Sequence, residues 1–183
     1  MVVFSSSSYK DNTRTTMAKT GKKVCFQTKN GLVSFIAKHT SSPCDASKIY
    51  EKKMGSQEKQ THKAIGYHKR IPNLAGSVGN KGIMPRAGQA LRDIPGRRGQ
   101  LGGKLLVRTK QAQLRKDLTK AISHLHSKGI KHMDLREGAS RNILWDGKHF
   151  NVIDFGKVQH TSDYNVGQEV DHIMNSLSLW AVS

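Results

Sequence analysis

Apolar and polar positions change their period several times along this chain. Val24-Cys25-Phe26 and Leu32-Val33-Ser34-Phe35-Ile36-Ala37 are short β-rich runs separated by Lys29-Asn30-Gly31, and Asn-Gly between such runs predicts a hairpin. From residue 46 to 65 the spacing turns helical, with Ile49, Tyr50, Met54, Ala64 and Ile65 as its stripe, a break at Gly55-Ser56 and Gly66 as C-cap. Residues 71–76 predict a strand and turn, and Gly82-Ile83-Met84 a short strand ended by Pro85. Pro95 and four glycines (Gly96, Gly99, Gly102, Gly103) predict a loop over residues 93–104. Leu114, Leu118, Ala121, Ile122 and Leu125 then recur at i, i+4, i+7, i+8 and i+11, one face of a helix that Gly129 stops. Residues 142–145 and 150–153 predict two strands joined at Asp146-Gly147, and residues 170–182 a final helix. Residues 1–20, with Ser5-Ser6-Ser7-Ser8, lack any apolar period and read as a disordered tail.

Charge divides the chain. Residues 1–116 hold 24 Lys/Arg against 5 Asp/Glu, net +19, and residues 117–183 hold 7 against 8, net −1. The basic part would attract polyanions. No stretch approaches the ~20 apolar residues of a membrane span. Cys25 and Cys44 cannot make a disulfide framework. The expected location is therefore intracellular, in cytoplasm or nucleus, with no membrane partner. Nine histidines show no closed metal set beside two cysteines. Trp145 and Trp180 read as core residues.

The chemically informative segment is His132-Met133-Asp134-Leu135, then Asn142-Ile143-Leu144, then Val152-Ile153-Asp154-Phe155-Gly156. Two carboxylates and an amide each stand beside a short hydrophobic run. Phosphoryl transfer needs such a set, because its catalysis is mostly positioning and charge neutralisation. Mg²⁺ favours hard oxygen ligands and keeps waters, so two protein ligands plus phosphate oxygens suffice.

In this order the segment resembles the protein-kinase superfamily, with His-Met-Asp where the family has His-Arg-Asp. The resemblance implies that Asp134 orients or accepts the proton of the acceptor hydroxyl and that Arg136 faces the transferring phosphate. It makes Asn142 and Asp154 the Mg²⁺ ligands and has His132 pack against the Asp-Phe-Gly region. Phe35-Ile36-Ala37-Lys38 resembles the family's strand lysine motif, and residues 58–66 resemble the helix segment that begins with its paired Glu. Lys38 and Glu58 are thereby implied to grip ATP phosphates, with Glu51 as the alternative partner. Residues 83–91 resemble the hinge, where the backbone at Met84 and Ala87 would hold adenine.

The implied fold is α+β and two-lobed: a kinase-like domain over residues 21–183, with a β-rich lobe to 85 and a truncated helical lobe over 86–183. The implied function is transfer of the ATP γ-phosphate to a Ser/Thr hydroxyl of a protein substrate. Four departures make it a reduced version of that family. Gly21-Lys22-Lys23-Val24 has one glycine where the family has three, and Asp134 and Asn142 stand eight apart instead of five, so residues 138–140 are expected to loop out. No Ala-Pro-Glu segment follows Asp-Phe-Gly, and the chain ends at Ser183. Asp171 matches either the buried aspartate that braces the catalytic loop or an ordinary carboxylate near a helix N-terminus. Two other function classes stand beside the enzyme: a pseudokinase scaffold without turnover, and a basic nucleic-acid-binding protein.

Overall fold

The computed structural model describes residues 22–28, 31–37, 49–74, 76–78, 80–96 and 102–183. It is a mixed α/β structure with small antiparallel sheets. The chain divides into two compact units, residues 1–59 with 73–86, and residues 60–72 with 87–183.

The first unit carries the predicted hairpin: β1 (Lys22–Thr28) pairs antiparallel with β2 (Gly31–Ala37), from Lys22↔Ala37 to Thr28↔Gly31. Its second sheet has the order β3-β5-β4, from β3 (Ile49–Lys53), β4 (Gly76–Val78) and β5 (Lys81–Pro85). The helical reading of residues 46–65 is corrected here. Ile49–Lys53 is a strand against β5, and α1 starts only at Ser56 and runs to Ile65. Ile and Tyr favour strands, and the pairing of Ile49 with Pro85 and of Tyr50 with Met84 overrides the helical spacing. Gly55 makes the break, and Gly66, at φ +66, ends the helix in the left-handed region. The strand expected over residues 71–76 is reduced to an isolated bridge between His68 and Ile71, and β4 begins at Gly76.

In the second unit, β6 (Gln89–Ala90), β8 (Ile143–Trp145) and β9 (Phe150–Val152) form one antiparallel sheet in the order β6-β8-β9. β7 (Ile130–His132) and β10 (Val158–His160) form another. Around them lie α2 (Gly102–Thr109), α3 (Gln111–Ser127), α4 (Leu135–Asn142) and α5 (Val166–Val182). The loop expected over residues 93–104 is thus shorter, because α2 already begins at Gly102.

The predicted stripe of α3 forms the centre of the core. Leu114, Leu118, Ala121, Ile122 and Leu125 are fully buried, packed in one cluster with Val170, Ile173 and Leu177 of α5. Each such leucine or isoleucine contributes about 1.5–3 kcal/mol through area removed from water. Trp145 and Trp180 are partly buried against the same cluster. The β8–β9 turn is held by Asp146, whose Oδ1 accepts from Lys148 N at 2.8 Å and His149 N at 2.7 Å.

A buried carboxylate also sits inside this apolar region. Asp117 of α3 is 1% exposed and accepts hydrogen bonds from Gln113 Nε2 at 2.7 Å and Phe150 N at 3.0 Å. Arg70 Nε lies 3.1 Å from its Oδ1, off the line a hydrogen bond needs, so that contact is an ion pair. Asp171 is not the buried brace: it is exposed and pairs with Arg115 at 2.6 Å. Among the described residues no helix is long and apolar enough to cross a membrane.

Candidate functional site

β7 delivers His132, only 4% exposed, to the end of a strand whose Ile130 and His132 side packs on the core. His132 Nε2 lies 3.0 Å from Ile153 O, and Asp134 N donates to His132 Nδ1 at 3.2 Å. A neutral ring protonated at Nε2 satisfies both contacts. Burial pushes the imidazole below its usual range. The Ile153 carbonyl and then the nearby carboxylates of Asp154 and Asp134 oppose that shift. The ring also meets Phe155 at 5.2 Å between centroids, the packing implied by the resemblance.

From Ile153 the connection continues. Ile153 N donates to Asn142 O at 2.9 Å, and Asn142 Nδ2 donates to Asp134 O at 3.1 Å and Asp134 Oδ2 at 3.0 Å. His132, Ile153, Asn142 and Asp134 therefore close a ring of hydrogen bonds, and Asp154 follows Ile153 directly. The eight-residue spacing is absorbed by α4 and not by a looped-out Gly138-Ala139-Ser140. Leu135, Ala139 and Asn142 fall on the buried side of that helix. Asn142 ends the helix instead of opening a strand. Gly138 is what permits the fit. A Cβ there would stand 2.8 Å from Asn142 Nδ2 and 3.1 Å from Asp134 Oδ2.

Asp154 adopts φ +68, the one non-glycine positive φ among the described residues. That conformation costs an L-residue about 1–2 kcal/mol and turns the chain sharply before Phe155-Gly156. Its Oδ1 accepts weakly from Gly156 N at 3.4 Å. Among the described residues no group of three or more His, Cys, Asp or Glu could hold a metal. Mg²⁺ does not require one. Asn142 spends its Nδ2 on Asp134, so its side-chain oxygen and the Asp154 carboxylate would be the hard oxygen donors for such an ion.

Arg136, implied as the phosphate-facing cation, is exposed in the first turn of α4, and its carbonyl accepts from Ser176 Oγ at 2.6 Å. Lys157 stands close to Asp134, its Nζ 4.0 Å from Asp134 Oδ1. Composition gave no signal for this lysine. Its position three residues after Asp154 and immediately before β10, with its carbonyl accepting from Met133 N at 3.0 Å, is the feature that singles it out.

In the first unit, Glu58 is buried at 8% in the first turn of α1 and pairs with Lys52 Nζ of β3 at 2.7 Å. Lys38 lies outside the described residues. Among the described residues Lys52 pairs with Glu58, six positions before it and across the Gly55 break. Glu51 is the neighbouring β3 residue, opposite Ile83. Met84 is buried in β5 opposite Tyr50. Ala87 belongs to the second unit, where its carbonyl already accepts from Asn151 Nδ2 at 2.8 Å. No protein-family model matches this chain, and no curated protein matches it.

Proposed function

We propose that this chain is a reduced, two-lobed, α+β protein-kinase-like phosphotransferase that moves the γ-phosphate of ATP to a Ser/Thr hydroxyl of a protein. The observation that carries the reading is the closed ring through His132, Ile153, Asn142 and Asp134, which fixes Asp134 against Asn142 within one unit and holds the chain at Ile153, next to Asp154. Asp134 takes the hydroxyl proton while the acceptor oxygen bonds to the γ-phosphorus and the bond to the β,γ-bridging oxygen breaks, leaving ADP. Asn142 and Asp154 would hold Mg²⁺, which neutralises phosphate charge. His132 fixes the backbone at Asp134 and Ile153 through both ring nitrogens. In the first unit the Lys52–Glu58 pair has the composition of a phosphate grip, with the buried carboxylate 2.7 Å from the lysine ammonium.

Thermal unfolding with and without ATP and Mg²⁺ tests the nucleotide site. At a hundredfold excess over Kd the ligand adds ~2.7 kcal/mol, a rise of several degrees for a chain of this size. Asp154→Ala should abolish the rise. No rise in the parent chain, or an equal rise in the variant, rules the site out. Transfer of radiolabelled phosphate to a mixed protein acceptor, lost in Asp134→Ala, then separates an enzyme from a scaffold. The scaffold reading is favoured by one observation: the β1–β2 hairpin, with its strands and turn, carries a single glycine, Gly31.

A further inference from the structure

The two-stranded β7–β10 ladder packs only one of its faces. His132↔Val158 and Ile130↔His160 are cross-strand pairs on the side where Ile130, His132 and Val158 meet the core. Side chains alternate along strands, so Lys131 and its partner Gln159 point the other way. The ladder continues one step further, through a hydrogen bond from Met133 N to Lys157 O at 3.0 Å, which puts Met133 and Lys157 on the outward side as well. Met133 is 50% exposed, and the Lys157 side chain is 76% exposed.

This face ends at Asp134, whose carboxylate is 4.0 Å from the Lys157 ammonium. It thus combines two cations and an exposed thioether with a carboxylate placed to meet a hydroxyl. Methionine side chains adapt to varied apolar partners, and lysines on either side of one select for acidic neighbours by charge complementarity.

We propose that the outward face of the β7–β10 ladder, carrying Lys131, Met133 and Lys157 beside Asp134, docks an acidic peptide that presents a Ser or Thr next to an apolar residue. This rests on the phosphotransferase reading and supplies its substrate class. Lys157 adds a second cation to the acceptor side beside Arg136, which is exposed on α4.

The test measures binding, so it does not depend on turnover. A fluorescent peptide with one Ser, one adjacent Leu and flanking Asp residues is titrated at ~0.1 M salt by anisotropy. It is compared with a twin in which Lys replaces Asp. The full chain, Lys131→Glu/Lys157→Glu and Lys116→Glu/Lys120→Glu are run side by side. The last pair removes the same charge from exposed positions of α3, controlling for the +18 net charge.

The proposal requires the acidic peptide to bind better than its twin and to weaken about tenfold or more in the β7–β10 variant, with at most a threefold change in the α3 variant. Met133→Ala should weaken it further without changing the salt dependence. Equal losses in both charge variants, or no preference between the peptides, overturn it. So does an equal loss for a single-stranded oligonucleotide, which would make the face a general polyanion surface. Failure of the separate ATP–Mg²⁺ thermal shift would remove the enzyme and leave this docking result standing.

Discussion

Gly138→Ala sets two well-known effects against each other at one atom. In an ordinary helix interior the change stabilises by about 1 kcal/mol through helix propensity. Gly138 has no positive φ that would forbid alanine. Its added Cβ, however, would stand 2.8 Å from Asn142 Nδ2, 3.1 Å from Asp134 Oδ2 and 3.3 Å from Asp134 Cγ. The first distance is too short to be accommodated in place, so Asn142 or Asp134 must rotate. Rotation breaks one hydrogen bond to a carbonyl and one to a carboxylate, worth about 0.5–1.5 and 1.5–3 kcal/mol. The balance is a net loss of about 1–3.5 kcal/mol. Urea unfolding followed by tryptophan fluorescence reads it directly. Gly167→Ala in α5 is the control. Its nearest atom, Asn165 Oδ1, is at an ordinary 3.5 Å, and a gain of about 0.4–1 kcal/mol is expected there. The thermal response to ATP–Mg²⁺ should vanish in Gly138→Ala and persist in Gly167→Ala. A Gly138→Ala chain that is more stable than the parent and keeps that response would refute the assignment of the Asp134–Asn142 contact as the organiser of the site.

Asp117→Ala leaves Arg70 without its counterion and the buried Phe150 N–H without an acceptor; a loss of about 3–5 kcal/mol is expected, and a cost below 1 kcal/mol in denaturant titrations would show the cluster to be dispensable. Asp154→Gly and Asp154→Ala remove the same carboxylate, so their difference isolates the backbone at φ +68: the glycine variant should be the more stable by about 1–2 kcal/mol, and equal unfolding midpoints would disprove the strain. Stability should also fall in mild acid. His132 is lowered from 6.5 by burial, and His68 is pushed down to about 4 by burial, with nearby His124, Arg70 and Lys120 adding to the shift. Below pH 6.5 the unfolded chain takes up protons that the folded chain refuses, so this contribution is complete above 6.5 and is lost as pH drops from there toward 4. Urea midpoints between pH 7 and 5 should slope less in His68→Gln than in the parent; an unchanged slope contradicts the assignment.

The α3 stripe was legible because five apolar residues at helical spacing have no other amphipathic reading. The strand at Ile49–Lys53 was not, since its helix-like period was overridden by pairing with β5, a partner some thirty residues away. α4 hid for a different reason. Its buried positions, Leu135, Ala139 and Asn142, do keep the helical interval, but one is polar and Gly138 argues against a helix. Asp134, Asn142 and Asp154 could be named from their side-chain chemistry and order. Their arrangement could not, because it passes through the carbonyls and amides of Ile153 and Asn142, and backbone atoms leave no trace in residue identity. Lys52 illustrates the same limit: nothing in its neighbourhood along the chain marks it as the partner of Glu58, and only the folded structure brings the two together.

The hydrogen-bonded ring also bears on how this polypeptide tolerates insertion and deletion. Asp134 and Asn142, where α4 begins and ends, are clamped through His132 and Ile153 to the same stretch of chain. The connecting helix is itself tied down between those anchors, because Leu135 and Ala139 lie in the hydrophobic core. An insertion or deletion within residues 135–142 would turn these side chains out of the core and draw the amide away from the carboxylate, whereas the exposed turn at Gly147 has open space around it.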